Sequence, residues 1–305
     1  MDNIGALLHD IKMQLPDLEL REQEPMSAHT SFRIGGPARA MAIPSSLDEL
    51  QELCALLRGK GVSPLIIGNG TNLLVCDEPL ERFIIKLGSG FDSLERRGDS
   101  EGFALCGISL ARLALSCAHW GLGGLEFAHG IPGSLGGAAF MNAGAYGGEM
   151  KDVLKSVTYI DEDALLREKS GDALELSYRH SVFSDTDSVI VGCLFGLHPD
   201  SEADILERMR TLSEKRRSSQ PLDKPSAGST FKRPVGGYAA ALIESAGLKG
   251  YCIGGAQVSE KHAGFVINRG GASFEDVRRL MEYIQETVYA QSGIRLEPEV
   301  KIITN

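Results

Sequence analysis

The segment 129–150, HGIPGSLGGAAFMNAGAYGGEM, holds glycines at 130, 133, 136, 137, 144, 147 and 148 and neither Lys nor Arg. Glycine costs roughly 0.5–1 kcal/mol relative to alanine inside regular structure, so a chain this rich in it bends tightly or lets something approach its main chain. A flexible linker is the alternative. Against it, Ile131, Leu135, Phe140 and Met141 interleave with the glycines, and solvated Gly/Ser linkers lack such residues.

The 305 residues can bury a substantial core and suggest two or three domains or lobes. A net charge of -10, with no basic run longer than Lys215-Arg216-Arg217, excludes a general nucleic-acid binder. An anionic ligand must be held by local groups. The six cysteines (54, 76, 106, 117, 193, 252) form no C-x-x-C pair and read as reduced, buried packing. The N-terminus lacks the basic start and apolar core of a signal peptide, and no apolar run approaches the ~20 residues of a membrane span. The expected location is the cytoplasm, with no membrane partner.

Apolar spacing predicts a leading helix through Ile4, Leu7, Leu8, Ile11 and Leu15, stopping before Pro16. Ser46 to Glu49 reads as a capping box opening a helix with Leu47, Leu50, Leu53 and Leu57 inward. PLIIGNGTNLLV follows as strand, turn and second apolar run, with no helix after the turn. Ser109 caps a helix ending at Gly121, and strands are expected at 157–160 and 188–195. Ser201 opens a helix whose last turn carries Lys215, Arg216 and Arg217, where the macrodipole favours cations. Residues 218–237 form a linker or functional loop, and helices follow at 239–246 and 273–292. IRLEPEVKIIT alternates apolar and polar residues and reads as an edge strand, because Pro298 cannot donate to a ladder.

Two places could hold phosphate. Gly68-Asn69-Gly70-Thr71-Asn72 has the G-x-G of a dinucleotide turn but neither the third glycine nor a following helix, and no Walker A lysine occurs. It is an anion-holding turn or a tight strand connection. Taken with 129–150, it suits a ligand with a pyrophosphate and an extended body, such as a dinucleotide cofactor.

Six stretches in order carry a family resemblance: HTSFRIGG from His29, GNGTNLLV, GIPGSLGGAAFMNAGAYGGEM, YRHSVF from Tyr178, AGSTFKRP and LEPEV. Together they resemble the UDP-N-acetylenolpyruvoylglucosamine reductase (MurB) family from about residue 25 to the C-terminus. The resemblance implies an α+β fold: a two-lobed FAD-binding domain of the PCMH/vanillyl-alcohol-oxidase type plus a C-terminal α+β substrate-binding domain. Lobe 1 would span 1–88, rejoined by a C-terminal strand at 294–305; lobe 2 would span 89–217 and the substrate domain 218–293. It implies that Gly68, Asn69, Gly70, Thr71 and Asn72 line FAD together with Gly130, Ile131, Pro132, Gly133, Ser134, Gly137 and Asn142, with help from Arg33. It further implies that NADPH reduces the flavin and that the enolpyruvyl double bond of UDP-N-acetylglucosamine-enolpyruvate is then reduced to UDP-N-acetylmuramate.

Hydride arriving at one alkene carbon pushes electron density toward the neighbouring carbon and its carboxylate, so the site needs a cation and a proton donor there. The resemblance assigns Arg179 as the cation, Ser229 as the proton donor and Glu299 as the carboxylate working with Arg179. By themselves, Arg179 reads equally as a strand arginine paired with an acid, and Ser229 as a turn or cap residue. A serine alkoxide needs stabilising, and Lys232 is near in sequence. Period-2 spacing puts Glu297 and Glu299 on one strand face and does not choose between them. Tyr178, Lys232, His262 and Gln220 are implied as substrate contacts, His262 reading equally as a structural histidine. No metal is expected, and Tyr146 has no role. The short interval between Arg179 and Ser229 resembles the family's shorter form, without the added substrate-covering loop. Rival readings are another flavin oxidoreductase on the same scaffold and a non-catalytic nucleotide-sugar-binding protein.

Overall fold

The computed structural model describes residues 3–305, and seven α-helices lie among them, those after Ser46, Ser109 and Ser273 opening behind a capping side chain. These are α1 (Asn3–Gln14), α2 (Leu47–Gly59), α3 (Leu110–His119), α4 (Leu135–Phe140), α5 (Glu202–Ser219), α6 (Ala239–Ser245) and α7 (Phe274–Ser292). In α1, Leu7, Leu8 and Ile11 are buried; the side chain of Ile4 lies outside the described residues. Ser46 caps α2 by accepting from the Glu49 N–H at 3.2 Å. The expected reciprocal bond goes instead to Ser45, whose N–H donates to Glu49 Oε2 at 2.6 Å. A complete box forms at α7, where Ser273 Oγ accepts from Asp276 N–H and Asp276 Oδ2 from Ser273 N–H. Gly293 ends that helix at φ 72°, a conformation that side chains resist.

The chain divides into two compact units, each gathered from three stretches. Unit 1 comprises Met1–Arg21, Ala40–Gly68 and Phe83–Glu214. Its five-stranded antiparallel sheet has the order Leu166–Ser170, Leu154–Ile160, Val189–Gly196, Glu101–Leu105, Leu94–Arg97. Val189–Gly196 is buried almost throughout, as a central strand covered on both faces must be. Leu166–Ser170 was not expected: it is an edge strand of mostly polar, exposed residues without an apolar signal. Leu50, Leu53, Leu113, Cys117, Phe183 and Phe195 join one core.

Unit 2 comprises Glu22–Arg39, Asn69–Arg82 and Lys215–Asn305. Strands Cys252–Ile253, Ala256–Val258 and Val266–Asn268 pair antiparallel, and Val277, Leu280, Met281 and Ile284 of α7 share a core with them and with Ile243 of α6. A further sheet has the order Glu19–Pro25, Pro37–Ile43, Leu80–Lys86, Leu65–Ile67.

The C-terminal strand is shorter than expected. Only Lys301–Ile303 is extended in a ladder, parallel to Leu73–Val75. Leu296 and Val300 are buried, which produces the strand-like alternation, but Pro298 forms only an isolated bridge with Phe231. Glu297 and Glu299 therefore do not share a strand face. Five cysteines are buried and Cys252 half-buried, all free; burial pushes the Cys106 and Cys117 thiols up to about 12. Among the described residues no helix is long and apolar enough to cross a membrane.

Asp276 Oδ2 also accepts from Gly255 N–H at 3.0 Å. Its pKa is lowered, first by that bond and then by the bond from Ser273, so its stabilisation is present above the ordinary carboxylate pKa and fades as pH falls through the lower folded value. Asp276→Ala should cost about 1 kcal/mol near neutrality, and thermal melts should show the gap from wild type closing in acid.

Candidate active site

The strand Leu65–Ile67 runs into Gly68, where an added Cβ would collide with the Ser134 hydroxyl. The two glycine-rich segments, unrelated in sequence, thus touch within unit 1. In unit 2, Gly70 sits at φ 60° and an added Cβ would overlap the carbonyl oxygen of His29. Its own carbonyl accepts from Ser31 N–H at 3.1 Å. Asn72 closes the turn: its Nδ2 donates to the Glu299 carbonyl at 3.1 Å, and its carbonyl accepts from Lys301 N–H at 2.9 Å.

Residues 129–150 contain a short helix and a hairpin that periodicity did not reveal. α4 opens after Ser134, but its first N–H groups are engaged: Leu135 donates to Ile108 O at 2.9 Å and Gly136 to Cys106 O at 2.8 Å. Gly136 is required for this approach, since its Cβ would lie 2.8 Å from that of Cys106. The hairpin pairs Ala145 with Gly148, and its two turn residues, Tyr146 (φ 54°) and Gly147 (φ 91°), both have positive φ, as a type I′ turn requires. Tyr146 is thus a turn residue. Asn142 is 1% exposed at φ 44°. Its Nδ2 donates to Glu149 Oε2 (2.9 Å) and Ser177 O (3.0 Å), and its Oδ1 accepts from Lys151 N–H (2.9 Å). The amide is committed inside the protein.

Arg179, also in unit 1, is not on a strand. Ser177 and His180 exchange backbone hydrogen bonds at 3.1 and 3.2 Å, leaving Tyr178 and Arg179 as the tip of a two-residue turn. Arg179 adopts φ 57°, a conformation costing on the order of 1–2 kcal/mol outside glycine. Its guanidinium carbon lies 5.4 Å from the centroid of the exposed Tyr178 ring.

Ser229 and Glu299 belong to unit 2 and are brought onto adjoining backbone. Thr230, 3% exposed, accepts from Glu299 N–H at 2.8 Å through its carbonyl and donates its own N–H to Gly264 O at 2.9 Å. Its hydroxyl accepts from Val266 N–H at 3.0 Å. Ser229, half-buried, follows Gly228 at φ 74°. This register separates the two glutamates: Glu297 is exposed and meets Lys232 at 3.4 Å, whereas Glu299 is half-buried next to Thr230. His262 uses Nδ1 to accept from Gly264 N–H at 3.2 Å, leaving its proton on Nε2, and burial lowers its pKa. Gln220 receives a bond from Arg216, which is 9% exposed although the triplet reads as a solvated helix end. Arg216 and the buried Ser181 are side chains the sequence reading did not select; only a position facing inward on α5 distinguishes Arg216.

A family model described as FAD binding domain matches residues 38–168, and one described as UDP-N-acetylenolpyruvoylglucosamine reductase, C-terminal domain, matches 220–303. A UDP-N-acetylenolpyruvoylglucosamine reductase from Caldanaerobacter subterraneus is 46% identical over 97% of this chain and 98% of its own. One from Syntrophomonas wolfei is 44% identical over 95% and 96%. The chain belongs to the UDP-N-acetylenolpyruvoylglucosamine reductase (MurB) family. The crystal structure of the reductase from Thermus caldophilus superposes with a TM-score of 0.80, at 32% identity, over 93% of this chain and 98% of that one.

The residues fit the cofactor of this MurB-family flavoprotein. Within unit 1, Gly68 lies against Ser134, and a Cβ on Gly137 would meet only the Ser134 hydroxyl, at 3.7 Å. Such bare backbone admits a flat ring, and turn N–H groups admit a pyrophosphate. The donors at Leu135 and Gly136 are already used. Gly70→Ala should yield protein that has lost most of its bound flavin, read from visible absorbance after purification, because the substitution meets both positive φ and the His29 carbonyl.

Proposed function

We propose that this protein reduces UDP-N-acetylglucosamine-enolpyruvate to UDP-N-acetylmuramate with NADPH, in cytoplasmic peptidoglycan-precursor synthesis. The observation that carries the reading is identity of 46% over nearly the whole chain to a reductase of that name. The C-terminal domain match at 220–303 favours it over a different flavin oxidoreductase on the same cofactor scaffold.

Bound FAD would supply hydride transfer, taking hydride from NADPH and passing it to the alkene. Gly68 to Asn72 and the segment from Gly130 through Ile131, Pro132, Gly133 and Ser134 to Gly137 would hold it, with Asn142 supporting the loop through its internal bonds. Arg179 neutralises the substrate carboxylate as charge develops on it, a task suited to a guanidinium that forms bidentate pairs. Ser229 gives its proton to the carbon next to that carboxylate, and Glu299 works with Arg179 to stabilise the enol-like species. Glu299 fits this role better than Glu297, which is exposed and paired with Lys232. Tyr178, Lys232 and His262 contact the substrate. The hydroxyl is a weak acid, so Ser229 depends on cationic surroundings once deprotonated; Lys232 is three residues along the same segment.

Purified protein should be yellow, bleach with NADPH without air and recolour when the enolpyruvyl substrate is added. Protein without flavin defeats the reading, and bleaching without recolouring rejects the substrate. Ser229→Ala should leave bleaching within about twofold and slow recolouring on the order of 10²-fold or more, in the range general acids contribute; equal slowing of both steps rules out proton donation.

A further inference from the structure

The turn that carries Arg179 is tied at both flanks to the glycine-rich segment. On the leading side, Asn142 Nδ2 donates to the carbonyl of Ser177 at 3.0 Å. On the trailing side, Ser181 Oγ donates to the carbonyl of Phe140 at 2.6 Å and Ser184 Oγ to the same oxygen at 3.1 Å. Phe140 ends α4, and its carbonyl is one of those that a helix end leaves without an intrahelical partner. Ser181 is fully buried, and it and Ser184 also form a reciprocal cap. The tip between these anchors holds Arg179 at φ 57°, and a residue in that conformation stays there only where its surroundings over-determine it.

We infer that Ser181 and Asn142 are positioning residues for Arg179, registering its guanidinium against the same 130–142 segment that is matched to the cofactor. This rests on the role proposed for Arg179. A cation that stabilises developing charge works only if it is in place beforehand, since movement during the reaction forfeits the benefit. Anchoring the turn to residues 140 and 142 ties cation and cofactor bed to one reference: a shift of α4 carries both. Phe183 secures the trailing chain to the unit 1 sheet through an edge contact with Tyr159, ring centroids 5.2 Å apart. The inward face of the turn is consequently fixed, while Tyr178 stays exposed.

The test uses the flavin-loaded full chain and follows the two half-reactions separately for Ser181→Ala, Arg179→Ala and the double variant. Ser181→Ala should keep the visible spectrum of bound flavin and an NADPH bleaching rate within about twofold, while recolouring by the enolpyruvyl substrate slows on the order of tenfold or more, as for a misplaced group. Titration of the oxidised protein with that substrate should show weakened binding. In the double variant recolouring should be no slower than in Arg179→Ala alone, because a residue acting through another loses its effect when the other is gone. Equal slowing of both half-reactions, or full additivity, overturns the inference. If Arg179→Ala itself leaves recolouring unchanged, the proposed role of Arg179 falls, and the positioning role with it. Normal recolouring in Ser181→Ala with a defective Arg179→Ala removes the positioning role alone. Should Ser181→Ala fail to retain flavin, Ser184→Ala, which removes the 3.1 Å bond, should show the same split at smaller size; its absence there overturns the inference.

Discussion

The carbonyl of His29 occupies the space that a side chain at residue 70 would need. Because residue 70 is glycine, the main chain closes on itself, its carbonyl meets Ser31 N–H, and the turn delivers Asn72 to Glu299 and Lys301. Those bonds lead into the parallel pairing of Leu73–Val75 with Lys301–Ile303, and Glu299 N–H in turn reaches Thr230, the residue after Ser229. One close approach in unit 2 thus underlies the placement of two of the three residues assigned to chemistry. In unit 1, Gly68 against Ser134 and Gly136 against Cys106 do the same for the glycine-rich segment proposed to hold the cofactor. Bare glycine backbone suits a flat, anionic ligand in a protein of net charge -10, where no general basic field is present to hold it.

Where the approach is not made by glycine, strain marks the place. Among the described residues, Arg33, Asn142, Tyr146 and Arg179 have positive φ within the stretches that carry the family resemblance. Each has a visible restraint. Arg33 N–H donates to Thr30 O while the Thr30 hydroxyl meets the Ile34 carbonyl; Tyr146 is one half of a two-residue hairpin turn; Asn142 is held by three side-chain bonds. Non-glycine residues occupy such conformations where the surrounding structure compels them, and functional segments are where that compulsion gathers.

What could be read in advance follows the range of the forces involved. Caps and apolar spacing are local, so α3 with Ser109 and α7 with Ser273 stand in the sequence nearly as they stand in the fold. α4 is different: its Leu-Gly-Gly-Ala-Ala-Phe has poor intrinsic helicity, and the helix is fixed by carbonyls at 106 and 108 that no local pattern announces. Leu166–Ser170 has no apolar face to give it away. The alternation at 294–300 reflects burial of Leu296 and Val300 without a ladder, which begins only at Lys301. Spacing leaves Glu297 and Glu299 equivalent and only motif position favours Glu299; pairing with residues 230–232, which leaves Glu297 exposed and Glu299 half-buried, lies beyond sequence spacing. Asn142 was legible as a motif residue, but its partners at 149, 151 and 177 were not.

The bond from Asn72 to Glu299 joins residues 227 positions apart. At ordinary synthesis rates that separation corresponds to about 10–45 s between the emergence of one partner and the other. Unit 1 has its last stretch once Glu214 has been made, whereas unit 2 opens with residues 22–39 and needs 299–303 to complete its pairing. Contacts of such length form late because the chain must be closed before they return anything. On the ribosome, the glycine turn at 68–72 therefore has His29 and Ser31 beside it from the outset but waits for Glu299 and Lys301 until translation is nearly complete.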